Sequence, residues 1–197
     1  MQKLPQILFL SYIALFIALG IAPYSREVWY AENIPIVGIA IILFILYING
    51  VRFSNASYIF MSALLFLHTI GGYYTFGRVP FDFVTNFFGF ERNHYDRIAH
   101  VTVGFYAYPL IEYMEARGII TKRWVNYVLG LSFIMAIAAG YEILEWIFAI
   151  TSDPSAGIAF LGSQGDVWDA QKDMLADTMG AGGAIFFYHI FQRIRLK

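Results

Sequence analysis

Cysteine is absent from the 197 residues, which removes disulfide scaffolds, thiol nucleophiles and thiolate-ligated metal centres together. Charge is scarce: Asp, Glu, Lys and Arg make up 14% of the chain, against roughly 25% in soluble domains. The 13 basic and 14 acidic side chains leave a net charge of −1, so no nucleic-acid partner is expected. Low-complexity linkers and internal repeats are missing too, and 1–197 reads as one domain. No Ser, Cys or Walker-type catalytic signature is present. What is abundant is apolar: 59% of residues are hydrophobic and the mean hydropathy is +0.60, the composition of a membrane protein.

Apolar runs near the roughly 20 residues needed to cross a bilayer fall at 4–22, 34–48, 57–74, 96–114, 124–150 and 169–191. The fold expected is all-α, a polytopic single bundle of six transmembrane helices. The first run is read as a retained helix, since it is longer than a signal's apolar region and ends at Gly20 to Pro23 without a cleavage pattern. With the N-terminus inside, Lys3, Arg52, Arg117, Lys122, Arg123, Arg193, Arg195 and Lys197 are cytoplasmic. Arg26, Arg78, Arg92, Arg97 and Lys172 are then outside. The positive-inside rule favours this arrangement, with both termini cytoplasmic.

Polar residues inside the spans fall in three sets. Asp96 and His100, four apart, share a face of the fourth span; Glu142 and Glu145, three apart, share one on the fifth. Asp166, Asp169, Asp173 and Asp177 lie within an arc of about 80° at the start of the sixth, with Lys172 on the opposite side. At about 1.5 Å per residue, these sets reach the same outer level of the membrane. His68, near the outer end of the third span, reaches it as well. An ionised carboxylate in hydrocarbon costs about 2.5–3.5 kcal/mol on insertion scales, so the layer needs cations, protons or water. A helix N-terminus accounts for Asp166 and Asp169, but not for Asp173 and Asp177 deeper in. Arg97 is a natural ion partner for Glu142 and Glu145.

Other features are structural. Trp29, Trp124, Trp146 and Trp168 near span ends read as an aromatic belt. Ala176, Gly180 and Ala184 on the sixth span, and Ser132, Ala136 and Gly140 on the fifth, form small-residue ridges that would bring these two helices together. The Phe-rich segment 75–95 suits the outer interface or a lid, and 152–164 a lip, over the polar layer.

The segments Asp96-Arg97-Ile98-Ala99-His100, Glu142-x-x-Glu145 and Asp169-x-x-x-Asp173-x-x-Ala176-Asp177-x-x-Gly180-Ala181 resemble the YjdF-like family of bacterial inner-membrane proteins, a domain of unknown function. The resemblance covers nearly the whole chain and implies a bacterial inner-membrane location. The second half is also similar, more remotely, to VanZ-like membrane proteins, with Glu145 where that pattern has Gln and Asp177 where it commonly has Asn. Neither family brings a reaction with it.

The expectation for function is a membrane-embedded enzyme, a metal-dependent hydrolase or transferase acting on lipid or lipid-linked head groups. Glu142, Asp169, Asp173 and Asp177 are the candidate ligands for Mg²⁺, Mn²⁺ or Zn²⁺. Asp96, His100, Arg97 and Glu145 are the candidate catalytic residues, with Asp96 orienting His100 as general acid or base. The alternatives are a proton-coupled transporter or a noncatalytic lipid-binding envelope protein. Membrane lipids are the expected partners, and composition leaves the oligomeric state undetermined.

Overall fold

The computed structural model describes residues 3–195, with side chains up to Gln192. Lys197 lies outside the described residues, as do the side chains of Arg193 and Arg195. Among the described residues every regular element is a helix: α1 (Lys3–Gly20), α2 (Arg26–Ile48), α3 (Asn55–Tyr74), α4 (Asp82–Phe88), α5 (Tyr95–Gly104), α6 (Ala107–Ala116), α7 (Arg123–Thr151), α8 (Pro154–Leu161) and α9 (Asp169–Arg195). Four of them, α1, α2, α3 and α7, are long and apolar enough to cross a membrane. Helix α9 is long enough, but its first half carries Asp169, Lys172, Asp173 and Asp177.

The 96–114 segment is two helices. Pro109 has no N–H to give the Phe105 carbonyl, and the chain tightens there: Phe105, Tyr106 and Tyr108 donate to the carbonyls three residues back, Thr102, Val103 and Phe105. The 34–48 segment begins eight residues earlier than its apolar run suggests. Ser25 caps α2 and accepts from the Val28 amide, and Val28, Glu32 and Ile36 follow at four-residue spacing on the buried face. Helix α3 is pinned at its start by Glu112 of α6, which accepts hydrogen bonds from the Ser54 amide at 2.9 Å and hydroxyl at 3.1 Å, and from the Ser57 hydroxyl.

Helices α5 and α9 lie closest together. A Cβ on Gly104 would overlap the backbone of Asp177 to Ala181, and one on Gly180 would overlap Val101, so two glycines set the spacing. The Ala176, Gly180 and Ala184 ridge is buried as expected, with Gly180 against Val101 of α5, whereas Ser132, Ala136 and Gly140 are exposed. Contact between α7 and α9 runs instead through Ile134, packed with Ala181 and Ala184. Below the glycines, Ala107, Tyr108, Ile111, Ile134 and Tyr188 form a close-packed apolar core. Large apolar side chains on the outer surfaces of α1, α2 and α7 are exposed, Leu10, Ile41 and Phe133 among them, as lipid-facing surfaces are. Trp29 is no belt residue: it is buried against Phe16, ring centres 5.5 Å apart, while Trp124, Trp146 and Trp168 are exposed.

Candidate functional site

The turn before α5 sets the position of the site. Asn93 accepts from the Tyr95 amide and donates to the Gly77 and Val79 carbonyls. Its backbone N–H and C=O are both bonded by the Gln164 side chain, at 3.0 and 2.9 Å. Gln164 adopts φ +49°, between Gly162 and Gly165, both also at positive φ. The left-handed conformation costs a residue with a Cβ free energy, and the two amide bonds to Asn93 offset it. The 75–80 turn, the start of α5 and the loop entering α9 are thereby tied together.

The acidic stripe then divides into two tiers. In the upper tier Asp169 Oδ1 accepts from Arg92 Nη1 at 2.6 Å and Arg97 Nη2 at 2.5 Å. Asp173 Oδ1 accepts from Arg97 Nη1. Asp166 lies 3.5 and 3.6 Å from the same two guanidinium groups. Lys172 curls back to bond Asp166 Oδ2 at 2.6 Å, which it can do because Asp166 precedes the helix and is not held to the helical arc. That bond, with the Trp168 amide, holds the Asp166 carboxyl below its ordinary range. Arg92 also donates to the Ser163 carbonyl at 2.9 Å. Arg97 therefore pairs with the α9 aspartates and makes no ion pair with Glu142 or Glu145. His94 packs on Phe90, and burial together with Arg92 and Arg97 lowers its pKa.

One turn deeper, His100 is the centre. Its Nδ1 lies 3.2 Å from Asp177 Oδ1, and its Nε2 lies 3.7 Å from both Asp96 Oδ1 and Asp173 Oδ1. One donor atom from each of Asp96, His100 and Asp173 falls within 4.8 Å of the other two. All three side chains are nearly buried, and the α5–α9 glycine contact sets their separation. Glu142 and Glu145 approach from α7; one Glu142 carboxylate oxygen is buried without a hydrogen bond. Of the eight predicted site residues, the structure gathers Asp96, His100, Asp173 and Asp177 around one point, puts Arg97 and Asp169 in the tier above, and leaves the two glutamates beside them.

Two further polar residues, Glu32 and His68, join from the first half of the chain and meet Tyr141 of α7. Glu32 of α2, 2% exposed, accepts from the Tyr141 hydroxyl at 3.0 Å and lies 3.0 Å from His68 Nε2, off the direction of a hydrogen bond. A cavity of about 160 Å³ runs between this group and His100, walled by α2, α3, α5 and α7 and covered by Phe160 and Gly162 at the end of α8. Segment 152–164 is thus a lip, as its sequence suggests, and α4 carries an exposed aromatic face of Phe83, Phe87 and Phe88. A larger groove of about 340 Å³ between α1, α2 and α3 is lined without any carboxylate, imidazole or cation, and no acid–base or metal chemistry resides there.

An all-helical chain of this apolarity, with an Asp/His cluster between its helices, is an integral membrane protein. It belongs to the predicted membrane protein family DUF2238, whose pattern it matches over residues 4–193. It is 32% identical over 201 residues to the inner membrane protein YjdF of Escherichia coli (strain K12), covering 95% of this chain and 90% of that protein. No solved structure matches it significantly.

Proposed function

We propose that the protein is a metal-dependent enzyme of the inner membrane that acts on lipid or lipid-linked head groups in the outer half of the bilayer. The observation that carries this reading is the pair of 3.7 Å separations from His100 Nε2 to Asp96 and Asp173, with Asp177 behind Nδ1. A carboxylate on the far ring nitrogen fixes the tautomer that leaves Nε2 free to ligate, the usual support for a metal-binding histidine. Donors around an ion at about 2.1 Å lie roughly 3.0–3.4 Å apart, so a small inward movement would bring all three into contact. The charge balance also calls for a cation: Asp96, Asp166, Asp169, Asp173 and Asp177 face Arg92, Arg97 and Lys172, an excess of two negative charges before Glu142 and Glu145 are counted.

One imidazole and two carboxylates suit Mn²⁺ or Zn²⁺ better than Mg²⁺, which prefers oxygen throughout. Asp96, His100 and Asp173 would hold the ion, and Asp177 would orient His100. Asp169 and Arg97, bonded to each other, would position Asp173 instead of ligating. The ion would polarise a head-group oxygen or activate a water. Glu142, with an unpaired carboxylate oxygen, is then the candidate general base.

In the arrangement proposed, α5 with α6 and α9 complete six crossings with α1, α2, α3 and α7, and both termini are cytoplasmic. The packed core of Ala107, Tyr108, Ile111 and Ile134 beneath the site favours a pocket open to one side over proton-coupled transport. The test is calorimetric titration of Mn²⁺ and Zn²⁺ into metal-free protein. The reading requires one ion per chain and at least a tenfold loss of affinity in His100→Ala and in Asp173→Asn; no saturable binding refutes it.

A further inference from the structure

The cavity below the metal-binding group has a composition of its own. Glu32, Asp96, Glu145 and Asp177 line it with His68 and His100, and no Lys or Arg reaches it. A divalent ion on Asp96, His100 and Asp173 leaves Glu32 and Glu145 unbalanced. Glu32 has Tyr141 and His68 for neighbours. Glu145 is only 9% exposed and, among the described residues, has no hydrogen bond or ion pair. A buried carboxylate without a partner costs several kcal/mol unless something cationic or a proton meets it. A second metal ion is a poor candidate, since Glu32 and His68 are close together but Glu145 does not join them in a group of three donors as Asp96, His100 and Asp173 do. The volume is too large for a bare ion and matches a molecule of about six heavy atoms, the size of benzene in a cavity of roughly 150 Å³.

The walls change character with depth. From the carboxylates the cavity continues along Ile36, Ile39, Val103 and Ile137, with Ile137 half-exposed on the outer surface of α7. Ile39 lies 13 residues from the outer end of α2 and Ile137 14 from that of α7, roughly 20 Å down at about 1.5 Å per residue, which is acyl-chain depth. Helices α2 and α7 are bridged above by α8, which packs on both, and by the Tyr141–Glu32 hydrogen bond. The apolar end of the cavity therefore faces the bilayer and the acidic end lies inside the bundle, which is the polarity of an amphiphile with a cationic head.

We propose that this cavity binds the primary ammonium head group of a membrane lipid, admitted sideways between α2 and α7, with Glu145 and Glu32 as its counter-charges. Three N–H donors on a primary ammonium match the carboxylates in a way that a quaternary one does not, and the rings of Phe76, Tyr141 and Phe160 add cation–π attraction. The inference rests on the lipid-head-group reading of the site and names its substrate class.

The test is native mass spectrometry of delipidated, metal-free protein offered equal amounts of dioleoyl phosphatidylethanolamine, phosphatidylcholine and phosphatidylglycerol. The wild type should retain one phosphatidylethanolamine at least tenfold in preference to the other two. Glu145→Gln and Ile137→Trp, the second filling the lateral mouth without touching a polar group, should both lose that preference. Equal retention of the three lipids overturns the proposal. So does full selectivity in Glu145→Gln, because Gln imitates a protonated glutamate. Micromolar binding of free ethanolamine overturns the lateral route. Because no metal is present, selectivity in a protein that also fails to bind Mn²⁺ would sink the metal reading alone and leave this one standing.

Discussion

Substituting alanine at Gly104 tests whether the α5–α9 spacing makes the site. Its Cβ would sit inside the backbone of Asp177 to Ala181, and no rotamer change relieves a clash between backbone atoms, so the helices must separate. Overpacking of this kind costs about 1–3 kcal/mol, partly offset by the up to about 1 kcal/mol that Ala gains over Gly in a helix. A net cost near the middle of that range, about 1–2 kcal/mol, at about 2–4 °C per kcal/mol for a chain of this size, is a loss in unfolding midpoint of roughly 2–8 °C in detergent. His100 is one turn above Gly104 and moves with it, so Mn²⁺ affinity should fall as well. Gly140→Ala and Gly182→Ala, where the added carbon meets nothing within 4 Å, are the controls: helix propensity alone acts there, and both should be neutral or slightly stabilising. Differential scanning fluorimetry of the four proteins decides the matter. A Gly104→Ala protein as stable as the wild type, or controls equally damaged, would refute the close-packing argument.

Arg97→Ala strips Asp169 and Asp173 of a shared cation and should cost about 2–4 kcal/mol, given that breaking a buried pair leaves an uncompensated charge; Asp173→Asn in the same background should recover part of it, and an additive double mutant would argue against direct coupling. Glu112→Gln gives up charge-assisted bonds to Ser54 and Ser57 and should lower stability by about 1–3 kcal/mol, with faster hydrogen exchange confined to the first turn of α3. The Asp166 carboxyl is held below its ordinary value by Lys172 and the Trp168 amide, so its contribution is complete above the unfolded value of about 3.9 and is lost as pH falls through the lower folded value. Protection factors in 162–169, with the intrinsic pH dependence of amide exchange divided out, should be flat above about pH 5 and fall below about pH 4 in the wild type, with no such fall in Asp166→Asn; protection that drops as pH increases would contradict the sign.

The helical class and the convergence of the polar sets were legible in the sequence because both follow from local spacing. Asp96 with His100, and Asp169 with Asp173 and Asp177, needed only the helical period. Partner choice was not legible, since it depends on which helices touch. The Ser132, Ala136 and Gly140 ridge has the right spacing for a helix contact, yet α7 meets α9 on its Ile134 face, and the closest backbone approach of α9 is to α5, at Gly104 and Gly180. Glu32 lies two residues before the apolar run that marks α2 in the sequence; the four-residue spacing of Val28, Glu32 and Ile36 and the capping type of Ser25 are the local signals of the longer helix. The break at Phe105 was signalled by Pro109. The role of Arg92 had no local sign, as its partners Asp166 and Asp169 lie more than 70 residues away.

The central claim is that His100 ligates a divalent ion through Nε2 beside Asp96 and Asp173. Pulsed electron paramagnetic resonance of Mn²⁺ bound to the purified protein reads this directly. The account predicts one manganese per chain with a nitrogen coupling from a single imidazole, absent in His100→Ala and present with weaker metal retention in Asp177→Asn. Manganese bound with no nitrogen coupling, or a coupling that survives His100→Ala, would contradict it.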